Sequence, residues 1–155
     1  MLTPLLLFGH ITVMFVAITV AYGSGLMARL AYMTGQVAAV RGVGMAAARL
    51  GPFIPILFIL GGLLGLFTAV SVGANLLAPW LVIAYSLWTI AMLIGILENR
   101  PWGMKLGAIL ARTPDGPLTP ELSAMFTDRR VVIGTVVDYA LVLLLIYDMV
   151  VKPFS

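Results

Sequence analysis

Two side chains of this sequence that could do chemistry, His10 and Asp138, stand inside long apolar runs. His10 is the single histidine and follows Gly9, which leaves room for a close neighbour. One imidazole can form one axial bond to a haem iron or a chlorophyll-type magnesium, or it can hydrogen-bond to an adjacent helix. A two-histidine cytochrome b site within one chain is excluded. Asp138 is costly in hydrocarbon unless it is paired, so it calls for a partner among Tyr139, Ser86, Thr89 or nearby basic residues. Paired, it is a structural hydrogen bond or a snorkelling ion pair. Able to exchange its proton, it is the titrating group of a small-solute or proton transporter.

Most other chemistry is missing its parts. There is no cysteine, so disulfides, iron–sulfur clusters and cysteine-ligated zinc are excluded, and with one histidine nearly every nucleophile–base pair or metal cluster lacks a member. No catalytic residue or metal site is expected. The acids Asp115, Glu121 and Asp128 could serve lipid chemistry at a membrane surface, but they alternate with arginines in the manner of solvated faces. The nine methionines are dispersed and suit packing rather than copper. Gly42-Val43-Gly44-Met45-Ala46-Ala47 fits the dinucleotide-binding pattern G-x-G-x-x-A, but residues 50–97 contain no acid to hold a ribose. Asp148 and Lys152, four residues apart, are expected to form a helical ion pair.

The elements that must position these residues are membrane helices. Of 155 residues 62% are apolar and only 10% charged, against about 25% charged in soluble domains. No charge falls between Arg49 and Glu98, and none before Arg29. A span needs about 20 apolar residues, and four segments qualify: 3–23, 52–73, 78–97 and 131–151. The first has no basic residue before it and is too long for a signal core, so it reads as a span. The fold class expected is an all-α, polytopic membrane protein, a four-helix antiparallel bundle in a single domain with amphipathic connections.

Eight of the nine basic residues lie in connections 24–51 and 98–130, which the positive-inside rule places in the cytoplasm with both termini outside. That distribution speaks for membrane topology and against a nucleic-acid partner. Trp80 and Tyr147 are expected at the outer interface, Tyr32 and Trp102 at the inner one. Asn75 closes the short hairpin between the second and third spans. Gly61 with Gly65, and Ala91 with Gly95, are small residues at four-residue spacing that let helices approach, within the bundle or across a homo-oligomer. In the first connection Leu26, Leu30, Met33, Val37, Val40 and Ala47 form one apolar stripe, while Gly35, Gly42 and Gly44 weaken a single helix. An extension of the first span, a break and a short helix on the membrane surface are expected. In the second, Thr113-Pro114-Asp115-Gly116-Pro117 reads as a turn. Thr119 then caps a helix starting at Pro120, with Glu121 in its first turn, that runs through Arg129 and Arg130 into the fourth span.

Leu7-Phe8-Gly9-His10, the Arg-bearing connection, the Gly-rich second helix opening after proline and the closing Tyr147-Asp148-Met149-Val150-Val151-Lys152-Pro153 resemble a family of small bacterial inner-membrane proteins grouped only as a domain of unknown function. The likeness covers nearly the whole chain and implies a four-helix bundle, but no activity. A weaker similarity, the early histidine alone, points to membrane proteins of haem biosynthesis and copper resistance. Three functions follow as expectations: a non-catalytic accessory or scaffold subunit of a larger inner-membrane complex, a haem- or pigment-binding subunit using His10, and a transporter using Asp138. Membrane lipid is an expected partner and bound component in each.

Overall fold

A computed structural model describes residues 2–153. It contains seven α-helices: α1 Leu2–Met33, α2 Val37–Leu50, α3 Phe53–Ser71, α4 Pro79–Ile94, α5 Arg100–Arg112, α6 Pro120–Thr127 and α7 Arg129–Val151. Four stretches are long and apolar enough to cross a membrane: α1, α3, the continuous Pro79–Arg112 and α7. The chain is thus an all-α, multi-pass membrane protein, as its charge-free runs imply.

The spans associate as two pairs, α1 with α3 and α4 with α7. Large side chains join the pairs, as where the Trp88 ring lies against Gly62 at the distance of a close contact. The outer hairpin is closed as expected by Asn75, whose side-chain oxygen accepts from the Leu77 amide at 3.0 Å and whose carbonyl accepts from Ala78 at 2.9 Å. Pro79, without an N–H to lose, opens α4.

Beyond the spans the chain builds a second core, which the expected amphipathic connections did not include. Ala28 and Ala31 of α1, Val37 and Val40 of α2, Leu106, Ile109 and Leu110 of α5, and Leu122, Met125 and Phe126 of α6 form one buried cluster. Connections 24–51 and 98–130 therefore fold into a compact helical cap on the basic end of the bundle. Tyr32 stacks on Phe126 with centroids 4.7 Å apart and Trp102 meets the same ring edge-on at 5.5 Å. Both aromatics, expected at the inner interface, pack against this core, while Tyr147 at the other end stays exposed.

Several expected boundaries move. The break after α1 falls at Gly35, whose φ of 72° suits glycine, whereas Gly42 and Gly44 lie inside α2. Gly44 lies close to α5: a Cβ there would stand 3.3 Å from the Leu110 side chain. Instead of lying on a membrane surface, α2 folds back beside α1, where Met27, Ser24 and Val20 line one groove with Val43, Ala47 and Leu50. The proposed stripe divides accordingly, with Val37 and Val40 buried but Leu26, Leu30 and Met33 exposed.

The third span does not stop at Leu97. Pro101 has no N–H for the Leu97 carbonyl and its ring crowds that oxygen, and the helix responds with a π turn over Gly95–Asn99 before continuing as α5. Gly95, expected to pack with Ala91, has no other atom within 4 Å of where its Cβ would be, and instead opens this turn. The helix expected from Pro120 through Arg130 is broken at Asp128. Thr119 caps α6 as expected, accepting from Leu122 N at 3.3 Å. Asp128, outside the helical region at φ −56° and ψ 120°, then caps α7 by accepting from Arg130 N at 2.8 Å.

The cap is tied across its loops by Arg41. Its guanidinium donates to the Asp115 carboxylate and to the carbonyls of Thr113 and Leu110. Next to it, Val37 N donates to Gly116 O at 2.9 Å and Leu118 N to Gly35 O at 3.0 Å. Arg41→Gln leaves two carbonyls and a carboxylate without this donor and is expected to cost the cap about 1–2 kcal/mol. Hydrogen exchange at the Val37 and Leu118 amides should then accelerate roughly tenfold; unchanged protection would show that Arg41 does not hold the loops.

Candidate functional site

His10 is placed by the α1–α3 contact. Its Nδ1 lies 2.7 Å from the Gly61 carbonyl and, that oxygen being an acceptor, carries the proton. A Cβ on Gly65 would come within 2.8 Å of the ring, and one on Gly61 would overlap the Met14 sulfur. Gly61 and Gly65 thus make the flat strip of α3 on which Met14 and His10 of α1 lie. Of the two uses expected for His10, the arrangement displays the hydrogen bond to a neighbouring helix.

Asp138 lies in a polar cluster drawn from three elements. The Tyr22 hydroxyl of α1 donates to Oδ1 at 3.1 Å and the Asn99 amide of the π turn donates to Oδ2 at 3.0 Å. The Tyr139 hydroxyl donates to the Tyr22 carbonyl at 2.9 Å, and the two tyrosine rings meet edge-on at 5.0 Å. Glu98 extends over Gly134, one turn from Asp138, with an oxygen 3.0 Å from where a Cβ would stand. Asp138 is 7% exposed. Of the partners expected, Ser86 turns away to its own helix, donating to Val82 O, and Tyr139 joins through Tyr22 rather than directly. Asn99 and Tyr22 were not foreseen. Pro101, read as the cause of a widened turn, would have pointed to Asn99.

These bonds also set the heights of the helices relative to one another. Met14 faces Gly61 on an antiparallel helix, so eight residues on along α1 and eight back along α3, Tyr22 and Phe53 lie level. Tyr22 and Asn99 share Asp138. The basic ends of the spans therefore coincide near Tyr22, Phe53, Asn99 and Asp138. From Leu2 to Tyr22 is about 30 Å of helix, one hydrocarbon thickness. Asp138 stands where the spans meet the cap, level with Tyr22 and Asn99.

At the opposite end the expected Asp148–Lys152 ion pair is not formed. Lys152, in left-handed conformation at the end of α7, carries its Nζ 5.1 Å from the Trp80 ring centroid. Asp148 turns inward, 2% exposed, with neither oxygen hydrogen-bonded among the described residues. In the cap, each acid that lipid chemistry would need is occupied: Asp115 by Arg41, Glu121 by Arg112 and Asp128 by the start of α7. Among the described residues no three His, Cys, Asp or Glu side chains gather to hold a metal.

Fold and site together define a polytopic helical membrane protein with a packed cap. No family model, no characterised protein and no solved structure matches the chain.

Proposed function

We propose that the protein is a non-catalytic accessory or scaffold subunit of a larger bacterial inner-membrane complex, its cap in the cytoplasm and both termini outside. The orientation follows from the basic residues of the cap. The observation that carries the reading is the uncovered face of α1 beyond the membrane boundary. There Ala28 and Ala31 are buried in the cap, while Leu26, Met27, Leu30 and Met33 point outward, Met33 with 72% of its surface exposed. Met33 stands about 16 Å past Tyr22, deeper than a headgroup layer of about 5–8 Å, so acyl chains do not cover it. An apolar strip of this kind in water marks a protein contact, and methionine adapts well to one.

Native mass spectrometry of the protein extracted in mild detergent is expected to show other polypeptides at fixed stoichiometry. The double substitution Leu30→Glu/Met33→Glu should release them without changing the thermal unfolding of the cap, whose buried residues it leaves intact. A lone chain, or a homo-oligomer without other subunits, would overturn the reading.

A further inference from the structure

We infer that Asp148 and Lys152 form a proton-operated latch at the end of the bundle opposite the cap, in which Lys152 moves between the Trp80 ring and the Asp148 carboxylate. Two irregularities meet in this single turn of α7. Asp148 is 2% exposed, and neither of its oxygens accepts a hydrogen bond among the described residues. Lys152, four residues on, stands at φ 49° and ψ 57°, a left-handed conformation that costs free energy for a residue with a Cβ. Among the described residues no other non-glycine residue has a positive φ.

One movement relieves both. The Lys152 amide donates to the Asp148 carbonyl at 2.8 Å, which holds the two residues one turn apart. Rotation of Lys152 to a negative φ keeps that bond and swings its side chain from Trp80 back over the preceding turn. There a lysine is within reach of an acid four residues before it. Pro153 favours an extended ψ at Lys152 and leaves a negative φ open.

The proton selects the position. A neutral Asp148 carboxyl has little hold on an ammonium, and Lys152 keeps the Trp80 face, its Nζ 5.1 Å from the ring centroid. Once the proton leaves, the carboxylate is a buried charge that needs a cation. Lys152 is the cation at hand: α4, the span packed on α7, has no charged residue and only Tyr85 as a titratable one, and Tyr147, beside Asp148 on α7, is exposed. Protonation thus ties the end of α7 to the start of α4 through Trp80, and loss of the proton unties it.

The test uses the full chain in nanodiscs, labelled with 5-fluorotryptophan and followed by fluorine NMR, with the Trp80 resonance assigned by its loss in Trp80→Phe. Between about pH 4 and pH 9, the interval from ordinary carboxyl to ordinary lysine titration, the Trp80 resonance should move in one step while that of Trp102, in the cap, stays in place. Asp148→Asn, a neutral side chain of the same size, should hold Trp80 at its low-pH position. Lys152→Gln, at an exposed side chain, should abolish the movement. A Trp80 resonance that does not titrate, or a titration that survives either substitution, would overturn the latch.

Discussion

Replacing Gly65 with valine is expected to destabilise the α1–α3 pair by about 1–3 kcal/mol, the range for overpacking a filled contact. The first carbon of the new side chain would stand 2.8 Å from the His10 ring, nearer than carbon atoms approach. The ring is rigid and held by its bond to the Gly61 carbonyl, so it yields only by giving up that bond. Gly61→Ala should cost less, because the nearest atoms belong to the Met14 thioether, which rotates away. Gly95→Val, with nothing within 4 Å, is the control for helix propensity. Unfolding each variant by denaturant titration in mixed micelles orders them. If Gly65→Val unfolds with the wild type, the close approach of the two helices at His10 is not what holds the pair.

Gly65 also shows which features a sequence makes legible. The spans were legible because hydrocarbon imposes one coarse requirement, about 20 uncharged residues, and the runs before Arg29 and between Arg49 and Glu98 meet it directly. Gly61 and Gly65 could be read as a contact face, but their partners could not, since nothing local says that α1 rather than α4 lies against them. The cap was the larger omission. Its buried residues come from four helices separated by up to about a hundred positions, and the apolar steps Leu26, Leu30 and Met33 suggested a stripe that the fold turns outward. The face chosen on α1 is Ala28 and Ala31, whose small side chains let α2 and α6 close in. Periodicity marks an amphipathic helix, and packing decides which side is covered.

The two breaks make the same point with different residues. Pro101 and Asp128 both carried local signals, a helix-interior proline and a residue suited to capping. Each was absorbed into a simpler element, a span ending at Leu97 and a helix running to Val151, because charge count sets span ends only coarsely. At Asp148 and Lys152 a four-residue spacing implied an ion pair. The left-handed end of α7 instead sends the lysine to Trp80.

Asp138→Leu is expected to have an effect of similar or larger size, about 2–4 kcal/mol, because it leaves two donors behind. The Tyr22 hydroxyl and the Asn99 amide both aim at the carboxylate, and at a boundary packed against the cap each has few other acceptors. Tyr22→Phe removes one donor together with its need for a partner and should cost only about 1 kcal/mol. The cluster predicts that the two changes are not additive: once Tyr22 is phenylalanine, Asp138→Leu orphans only Asn99. A double-mutant cycle on unfolding in micelles should therefore return a coupling of about 1 kcal/mol, above the 0.3–0.5 kcal/mol expected of independent sites. Asp138→Asn, which keeps an acceptor of the same size for Tyr22, should fall between wild type and the leucine variant. Since Tyr22 belongs to one helix pair and Asp138 to the other, the coupling measures how firmly the two pairs are held together where they meet the cap. Strict additivity would mean that the pairs are joined by packing such as Trp88 on Gly62, with the polar cluster as a passenger.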